Sequence, residues 1–345
     1  MKRTILMILL LGIIMTGCEK PIEEPTIIDV DKPEEVEEEV ETIAHEIKEG
    51  VPSPLSGLYA PEEIVGQRVV AVMFDNHPRA RWQAGLKDAE IVYEFPVEAP
   101  YTRYLGLFLI NAPESIGPIR SSRPYFVTKA LEFDAIYVRV GGSEQAKKDV
   151  RSLKIADIDG LTSSSKVFWR KSHKKAPNNL YSSMEVIRET QEERNYKLTG
   201  DYEGFKFYPD DTNIKGDEAK TVLINYFNKN TSKFIYDEDE KVYTREKDGE
   251  LHIDESDESP ITAKNIIIQQ VDVRVIDNEG RLELGLIGEG TGKLITNGNS
   301  IDIKWFKDSR ESKTYYYNNL GDEIMLNSGT TWIQVVDTRS SIEIE

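Results

Sequence analysis

The first eighteen residues constrain this chain more than any other part of its sequence. Lys2 and Arg3 precede an apolar run over residues 5–14, and a glycine then precedes Cys18, the only cysteine of the chain. About ten apolar residues are too few to cross a bilayer core, which needs roughly twenty, but they fit the apolar part of a secretory signal. A lone cysteine directly after such a run is typical of a lipoprotein signal. We therefore predict a signal peptide over residues 1–17, palmitate-type lipidation of Cys18, and a protein anchored to the extracytoplasmic face of the cell membrane.

The composition argues against several classes of function. With Cys18 acylated, no thiol remains for a disulfide, a cysteine-bound metal or a cysteine nucleophile. The formal net charge of -18 repels nucleic acid. The four histidines are scattered, and neither a His-Glu-x-x-His nor a Gly-x-Ser-x-Gly motif occurs. We expect no metal, no cofactor and no nucleic-acid partner. The expected partners are the membrane, through the lipid anchor, and a cell-wall polymer or another envelope protein.

Beyond the signal peptide the chain divides into three segments. Residues 18–56 are rich in glutamate and proline and poor in apolar residues, which predicts a flexible acidic stalk. Residues 57–200 mix strand-like and helix-like patterns, which predicts an α/β N-terminal domain. Residues 201–345 carry short strand-like runs separated by turn pairs, which predicts a mostly antiparallel, β-rich C-terminal domain. The expected fold class is α+β.

Apolar runs and helical spacing locate the individual elements. In the N-terminal domain, the predicted strands are 69–74, 89–95, 104–110 and 135–140, and the predicted helices are 124–133 and 144–153. In the C-terminal domain, the predicted strands are 222–226, 234–236, 242–245, 265–270, 282–286, 300–304, 314–317 and 331–336. We find no chemistry in the C-terminal domain, and we interpret it as a support or interaction module.

Seven short motifs occur in a fixed order along the chain: Asp75-Asn76, 80–86, 88–94, Thr102-Arg103, 116–121, 176–181 and, near the end, 329–334. This ordered series resembles the YerB-like lipoproteins, a family of unknown function from Bacillus and related bacteria. The resemblance covers about residues 58–340 and implies a wall-facing lipoprotein of two domains, without implying a reaction. This chain departs from the family at Ala99-Pro100-Tyr101, where two glycines are usual, and at Asn178, where histidine is usual.

Polar residues gather around the ends of the predicted N-terminal strands, and loops at strand ends are common places for binding sites. The candidate ligand-binding residues are Asp75, Asn76, Arg81, Glu94, Glu98, Arg103, Arg120, Ser121 and Arg123. Guanidinium groups bind carboxylate or phosphate in a bidentate manner, so the arginines predict an anion site. The same arginines could instead pair with the neighbouring acids inside the protein. If the strands run parallel, these side chains meet at one edge of the sheet.

Two functions remain open from the sequence. The first is a cell-envelope binding or scaffold protein, which we favour. The second is a hydrolase or transferase that acts on a cell-wall polymer through a carboxylate or serine of the N-terminal domain, because paired carboxylates are the groups that cleave glycosides. Ser121 and Ser143 lie beside predicted helix starts, and a role as helix N-cap explains each of them more simply than catalysis.

Overall fold

The computed structural model describes residues 49–227 and 229–345. The predicted signal peptide, the lipidated Cys18 and the stalk up to residue 48 lie outside the described residues. The described residues belong to one compact unit, Ile47–Glu345. In this part of the chain, no helix combines the length and the apolar character that a membrane span requires.

The N-terminal part contains both helices and strands. Its helices are α1 (Glu62–Val65), a 3-10 turn (Pro78–Ala80), α2 (Pro124–Glu132), α3 (Glu144–Ser152) and α4 (Met184–Glu193). Its strands are β1 (Val51–Pro52), β2 (Tyr59–Ala60), β3 (Val70–Asp75), β4 (Ile91–Pro96), β5 (Thr102–Phe108), β6 (Ile136–Arg139), β7 (Asp157–Asp159), β8 (Trp169–Arg170) and β9 (Leu180–Tyr181).

The C-terminal part consists of strands in the residues that the structure describes. They are β10 (Lys206–Phe207), β11 (Asp217–Glu218), β12 (Thr221–Phe227), β13 (Asn230–Asp237), β14 (Val242–Lys247), β15 (Glu250–Leu251), β16 (Thr262–Ala263), β17 (Asn265–Val271), β18 (Val273–Val275), β19 (Leu282–Leu284), β20 (Gly288–Thr296), β21 (Asn299–Lys307), β22 (Tyr315–Asn318), β23 (Met325–Leu326), β24 (Thr331–Asp337) and β25 (Ser341–Ile344). The fold is α+β with a β-rich C-terminal part, as the sequence predicts.

One long mixed sheet forms the centre of the molecule, in the order β11-β21-β20-β17-β24-β4-β5-β3-β6-β7. Strands β3 and β4 are both antiparallel to β5, which lies between them, so they run in the same direction. Strands β6 and β7 continue in that direction, because β3 pairs parallel with β6 and β6 with β7. The carboxyl ends of β3, β4, β6 and β7 therefore lie at one edge, where β5 begins.

Both faces of the central sheet are covered, which explains why its strands are almost continuously apolar. One face packs against α2 and α3, and alternate residues such as Met73, Tyr93 and Leu105 form the core there. The other face packs against α4 and a smaller sheet of order β15-β14-β13-β12-β25. Strict alternation along β12, with every second residue buried, fits a strand that covers this core on one side only.

The two sequence segments are joined through the central sheet. Strand β24, from the end of the chain, pairs parallel with β4 of the N-terminal segment, with Trp332 opposite Val92. It also pairs parallel with β17 on its other side. A boundary at residues 200–201 therefore cuts a chain whose halves share one sheet, which favours joint unfolding over two separable folding units. The division into segments itself stays a prediction.

The predicted stalk, which extends to residue 56, ends too late. Residues 51–56 lie inside the fold, where β1 pairs with β2 and Leu55 is completely buried. The hydroxyl groups of Ser53 and Ser56 donate hydrogen bonds to Glu90 Oε1, at 2.5 and 2.6 Å. The backbone N–H groups of Leu109 and Ile110 donate to Glu90 Oε2. Glutamate- and proline-rich composition hid this attachment, because the buried partner Glu90 lies 34 or more residues away.

Candidate functional site at the strand ends

The sheet register brings several candidate residues together at the carboxyl edge. Arg103 at the start of β5 lies opposite Asp75 of β3 on one side and opposite Phe95 of β4 on the other. Because side chains alternate along a strand, Arg103 and Asp75 project towards the face that carries α2. Some of the candidate acidic and basic residues, among them Asp75 and Arg103, therefore do lie close together at this edge.

Arg123 and Glu98 form an internal ion pair at this edge. Arg123 Nε and Nη2 donate to the two oxygens of Glu98, at 2.6 and 2.8 Å. Burial raises the pKa of Glu98, but the hydrogen bonds and the charge of Arg123 outweigh it, so the pKa lies below its ordinary value. This bidentate geometry uses the fork of Arg123 inside the protein.

Arg103 is almost buried between its neighbours. Its side chain keeps 11% of its surface, Nη1 donates to the Ser121 carbonyl at 3.0 Å, and Nη2 lies 4.0 Å from Glu98. Burial, and next the positive charge of Arg123, lower the pKa of Arg103 to about 10. Arg103 therefore positions the loop that carries Ser121 and adds positive charge to the edge.

Arg120 is arranged differently from the other arginines. Its Nε lies 3.3 Å from Asp75 Oδ2, and the side chain keeps 29% of its surface exposed. Within the part of the chain that the structure describes, the Arg120 guanidinium donates no hydrogen bond, and its buried Nε contacts Asp75 only as an ion pair. Asp75 is already satisfied, because it accepts from Asn178 Nδ2 at 2.6 Å and from the His77 backbone N–H at 3.1 Å. The Nη groups of Arg120, on a side chain that is 29% exposed, are therefore the donors that a ligand can reach.

His77 and Arg79 lie near the pair of Arg120 and Asp75. His77 stacks on Tyr101, with ring centroids 4.8 Å apart. The pKa of His77 is lowered, mainly by burial; the charge of Asp75 raises it, and the charges of Arg79 and Arg120 lower it. The arginines and Asp75 therefore both act on this imidazole.

The cleft beside Ser121 does not share this character. It measures about 460 Å³ and is lined by Glu98, Ser121, Arg123, Gly142, Ser143, Glu144, Glu279 and Arg281. The Ser143 hydroxyl caps α3 by accepting from the Ala146 backbone N–H at 3.3 Å, as a structural role predicts. Helix α2 instead begins after Arg123, so an N-cap role for Ser121 is wrong. With three carboxylates and two guanidinium groups, the lining of this cleft has a net negative charge, which disfavours an anion.

Three of the candidate residues lie on the opposite face of the sheet, which corrects the expectation of a single cluster. Asn76 follows Asp75 and points the other way, where its side chain donates to Thr102 Oγ1 at 2.7 Å. Arg81 donates to Asn76 Oδ1 at 3.1 Å and pairs with Asp248 at 2.7 Å. Glu94 is completely buried. Strand alternation causes this separation, because neighbours in a strand face opposite sides.

Glu94 is the centre of a buried polar network that joins the central sheet to the smaller sheet. Arg245 Nη2 donates to Glu94 Oε2 at 2.6 Å and Lys247 Nζ donates to Oε1 at 2.9 Å, and all three side chains are fully buried. Ser232 and Thr102 each donate a further hydrogen bond to the carboxylate. In this arrangement Glu94 has no contact with solvent, so a role in ligand binding is wrong.

The sequence interpretation missed two contributors to the edge. Asn178, buried in the loop before β9, holds Asp75 in place. Lys174 Nζ donates to the Ala80 and Trp82 carbonyls, at 2.9 and 2.6 Å, and so fixes the loop after β3. The motif that contains Asn178 marked the region, but pairing across about 100 residues leaves no local signal. No group of histidine, aspartate and glutamate side chains suited to a metal ion occurs in residues 49–227 and 229–345.

Comparisons with known proteins agree with this architecture. Residues 55–197 match the family model described as "Protein of unknown function (DUF3048) N-terminal domain", and residues 222–333 match the model of the corresponding C-terminal domain. A protein of Bacillus subtilis (strain 168), "Putative lipoprotein YerB", is 36% identical over 256 residues, which cover 73% of this chain and 77% of that protein. The crystal structure of YerB protein from Bacillus subtilis superimposes with a TM-score of 0.77 at 33% identity, covering 85% of this chain and 99% of that one. The chain therefore belongs to the DUF3048 family, which includes the YerB lipoproteins and has no assigned biochemical function.

Proposed function

We propose that this protein is a membrane-anchored lipoprotein of the cell envelope that binds an anionic group at Arg120. The observation that carries the proposal is the Arg120 guanidinium, whose Nε pairs with Asp75 at the carboxyl edge of the sheet while its Nη groups form no hydrogen bond with the described residues. A fixed, partly exposed guanidinium with free donors suits a phosphate or carboxylate. The related lipoprotein of Bacillus subtilis supports an extracytoplasmic setting.

The arrangement of the acids supports binding rather than catalysis. The Glu94 carboxylate is buried between two cations, and the Glu98 carboxylate is bound by Arg123. A general acid needs a raised pKa and access to the substrate. The pKa values of Glu94 and Glu98 are instead lowered, so these two carboxylates are poorly suited to donate a proton at neutral pH.

Calorimetric titration of the mature protein tests the anion site. We expect inorganic phosphate or a carboxylate-bearing peptidoglycan stem peptide to bind the unaltered protein, and Arg120→Met to abolish binding. Arg274→Met is the matched control, since Arg274 is exposed on β18 and carries the same charge. Equal loss in both variants, or no binding of any anion by the unaltered protein, would contradict the proposal.

The anchor is tested separately. Cys18→Ala removes the thiol that receives the lipid, and no other cysteine is present. We expect this variant to be processed poorly or released from the membrane fraction, because residues 5–14 are too short to span a bilayer. A Cys18→Ala protein that still carries lipid label and stays fully with the membrane would show that the anchor lies elsewhere.

A further inference from the structure

One stretch of this acidic protein carries only positive charge. Residues 160–184 contain no aspartate or glutamate, although the chain as a whole has a net charge of -18. Their basic residues are Lys166, Arg170, Lys171, Lys174 and Lys175. A solvated surface of an acidic protein normally mixes both signs, so the bias of this segment requires an explanation.

A single acid compensates only part of this charge. Glu255, from the C-terminal part, pairs with Lys174 and lies 3.0 Å from Lys171 Nζ. Arg170 and Lys175 are exposed, and neither forms an ion pair with any residue that the structure describes. Neither charge has a counter-ion within the described residues.

Contacts place these free cations beside the Arg120 site. Arg170 Nη1 donates to Asn179 Oδ1 at 2.7 Å, and the neighbouring Asn178 binds the Asp75 carboxylate that also contacts Arg120. Lys174, next to Lys175, donates to the Ala80 carbonyl at 2.9 Å, which holds the segment against the loop that contains Arg79. Arg79 is also exposed and has no ion pair in the described part of the chain. We call Arg79, Arg120, Arg170 and Lys175 the basic rim.

The fold holds the segment that presents the rim. Strands β8 and β9 pair antiparallel, with Trp169 opposite Tyr181. Tyr181 is completely buried, and its hydroxyl donates to Glu255 at 2.7 Å. Phe168 is 4% exposed, so the aromatic residues of this segment form core and not a ligand platform. A surface already held in place loses little conformational entropy when a ligand binds.

We propose that the basic rim binds a linear polymer that carries a phosphate group in each repeat, with Arg120 as one of several subsites. This inference rests on the proposed anion site and names its ligand. The four cations are presented by three segments of the chain, after β3, before α2 and from β8 to β9, so the rim offers several points of contact that consecutive phosphates of one polymer can occupy together. The acidic remainder of the surface repels such a polymer, which restricts it to the rim. Exposed lysine and arginine together suit phosphate, because its oxygens accept hydrogen bonds both from the lysine ammonium group and, in a bidentate manner, from the arginine guanidinium group.

Titrations with inorganic phosphate, tripolyphosphate and long-chain polyphosphate test this inference on the mature protein. We expect affinity to rise with chain length, by roughly a hundredfold from phosphate to the long polymer, because linked groups bind with a high effective concentration. The double variant Arg170→Gln/Lys175→Gln is expected to weaken polyphosphate binding by roughly tenfold or more and to leave phosphate binding at Arg120 unchanged. Arg274→Gln/Lys304→Gln removes the same charge from exposed positions on β18 and β21 and is the control.

The outcomes separate the two proposals. Polyphosphate that binds no more tightly than phosphate, or a double variant that behaves like its control, would overturn the polymer inference while leaving the Arg120 site. Equal binding of poly-L-glutamate would overturn the choice of phosphate. Binding of phosphatidylglycerol vesicles in preference to polyphosphate would assign the rim to a membrane surface and overturn the polymer. Absence of phosphate binding together with rim-dependent polymer binding would contradict the Arg120 proposal alone.

Discussion

Replacing Glu94 by glutamine tests how the two parts of the chain are held together. The substitution keeps the size of the side chain and removes its charge, so Arg245 and Lys247 stay buried without a counter-ion. Removing one partner of a buried ion pair costs about 3–5 kcal/mol. Arg245 also packs over Trp332 of the central sheet, with its guanidinium carbon 4.3 Å from the ring centroid. The substitution therefore destabilises the contact between the central sheet and the smaller sheet.

The pKa of Glu94 gives a second measure of the same effect. Burial alone raises it, but the charges of Lys247 and Arg245 prevail and lower it to about 2 from the ordinary 4.5. At roughly 1.4 kcal/mol per pKa unit, the difference corresponds to about 3–4 kcal/mol. Because the pKa is lowered in the folded state, this stability is present above pH 4.5 and is lost as the pH falls towards 2.

Denaturant unfolding at pH 7 and at pH 3, followed by tryptophan fluorescence and far-ultraviolet circular dichroism, measures both consequences. We expect Glu94→Gln to lose about 3–5 kcal/mol at pH 7, and the gap to the unaltered protein to narrow at pH 3. The fluorescence and circular dichroism signals should change together, because the central sheet and the smaller sheet pack in one hydrophobic core. Glu289→Gln, at an exposed position of β20, is the control. A loss below about 1 kcal/mol, or a gap that does not change with pH, would refute the reasoning.

Three further substitutions probe other parts of the structure. Glu90→Gln should reduce the free energy of unfolding by about 1–3 kcal/mol, because an amide replaces a carboxylate that accepts four hydrogen bonds. Protease should then cut earlier near residues 53–58. An unchanged cleavage pattern would show that Glu90 does not hold this segment. Arg120→Met should cost less than about 1 kcal/mol in thermal or denaturant unfolding, since its one ion pair is partly exposed; a loss of several kcal/mol would assign Arg120 a structural role. Ser143→Ala should cost about 1 kcal/mol by removing the cap of α3, and a neutral result would show that the cap is not needed.

Continuous apolar runs made the central strands of the N-terminal part predictable. The predicted strand 69–74 is observed as Val70–Asp75, and the predicted helix 124–133 as Pro124–Glu132. Strand β20 was missed because Gly288, Gly290 and Gly292 weaken its apolar pattern. Gly292 is required there, since a Cβ would lie 2.1 Å from the Ile268 carbonyl oxygen of the neighbouring strand. Helix α4 was missed because its sequence is mostly polar and only one side of it is buried.

The candidate site was only partly predictable, because several of its contacts join residues that are far apart in the sequence. The sequence left the direction of the strands open, so it predicted one shared edge only for parallel strands. In the structure β3 and β4 run in the same direction and β5 runs antiparallel to both, which places Arg103, at the start of β5, beside their carboxyl ends. Alternation also places Glu94 on the face opposite Tyr93 and Phe95, and this signal was present in the sequence. The partners of Glu94 were not predictable, since Arg245 and Lys247 lie 151 and 153 residues further along the chain.

The most direct test of the account is the response of the Arg120 side chain itself to a phosphate ligand. Nuclear magnetic resonance of arginine Nε–Hε groups, with the Arg120 signal assigned through Arg120→Lys, follows each guanidinium during a titration with tripolyphosphate. We expect the Arg120 signal to move and saturate, while the signal of Arg245, buried against Glu94, stays in place. A titration in which Arg120 does not move, or moves only as much as the exposed Arg274, would contradict the central claim.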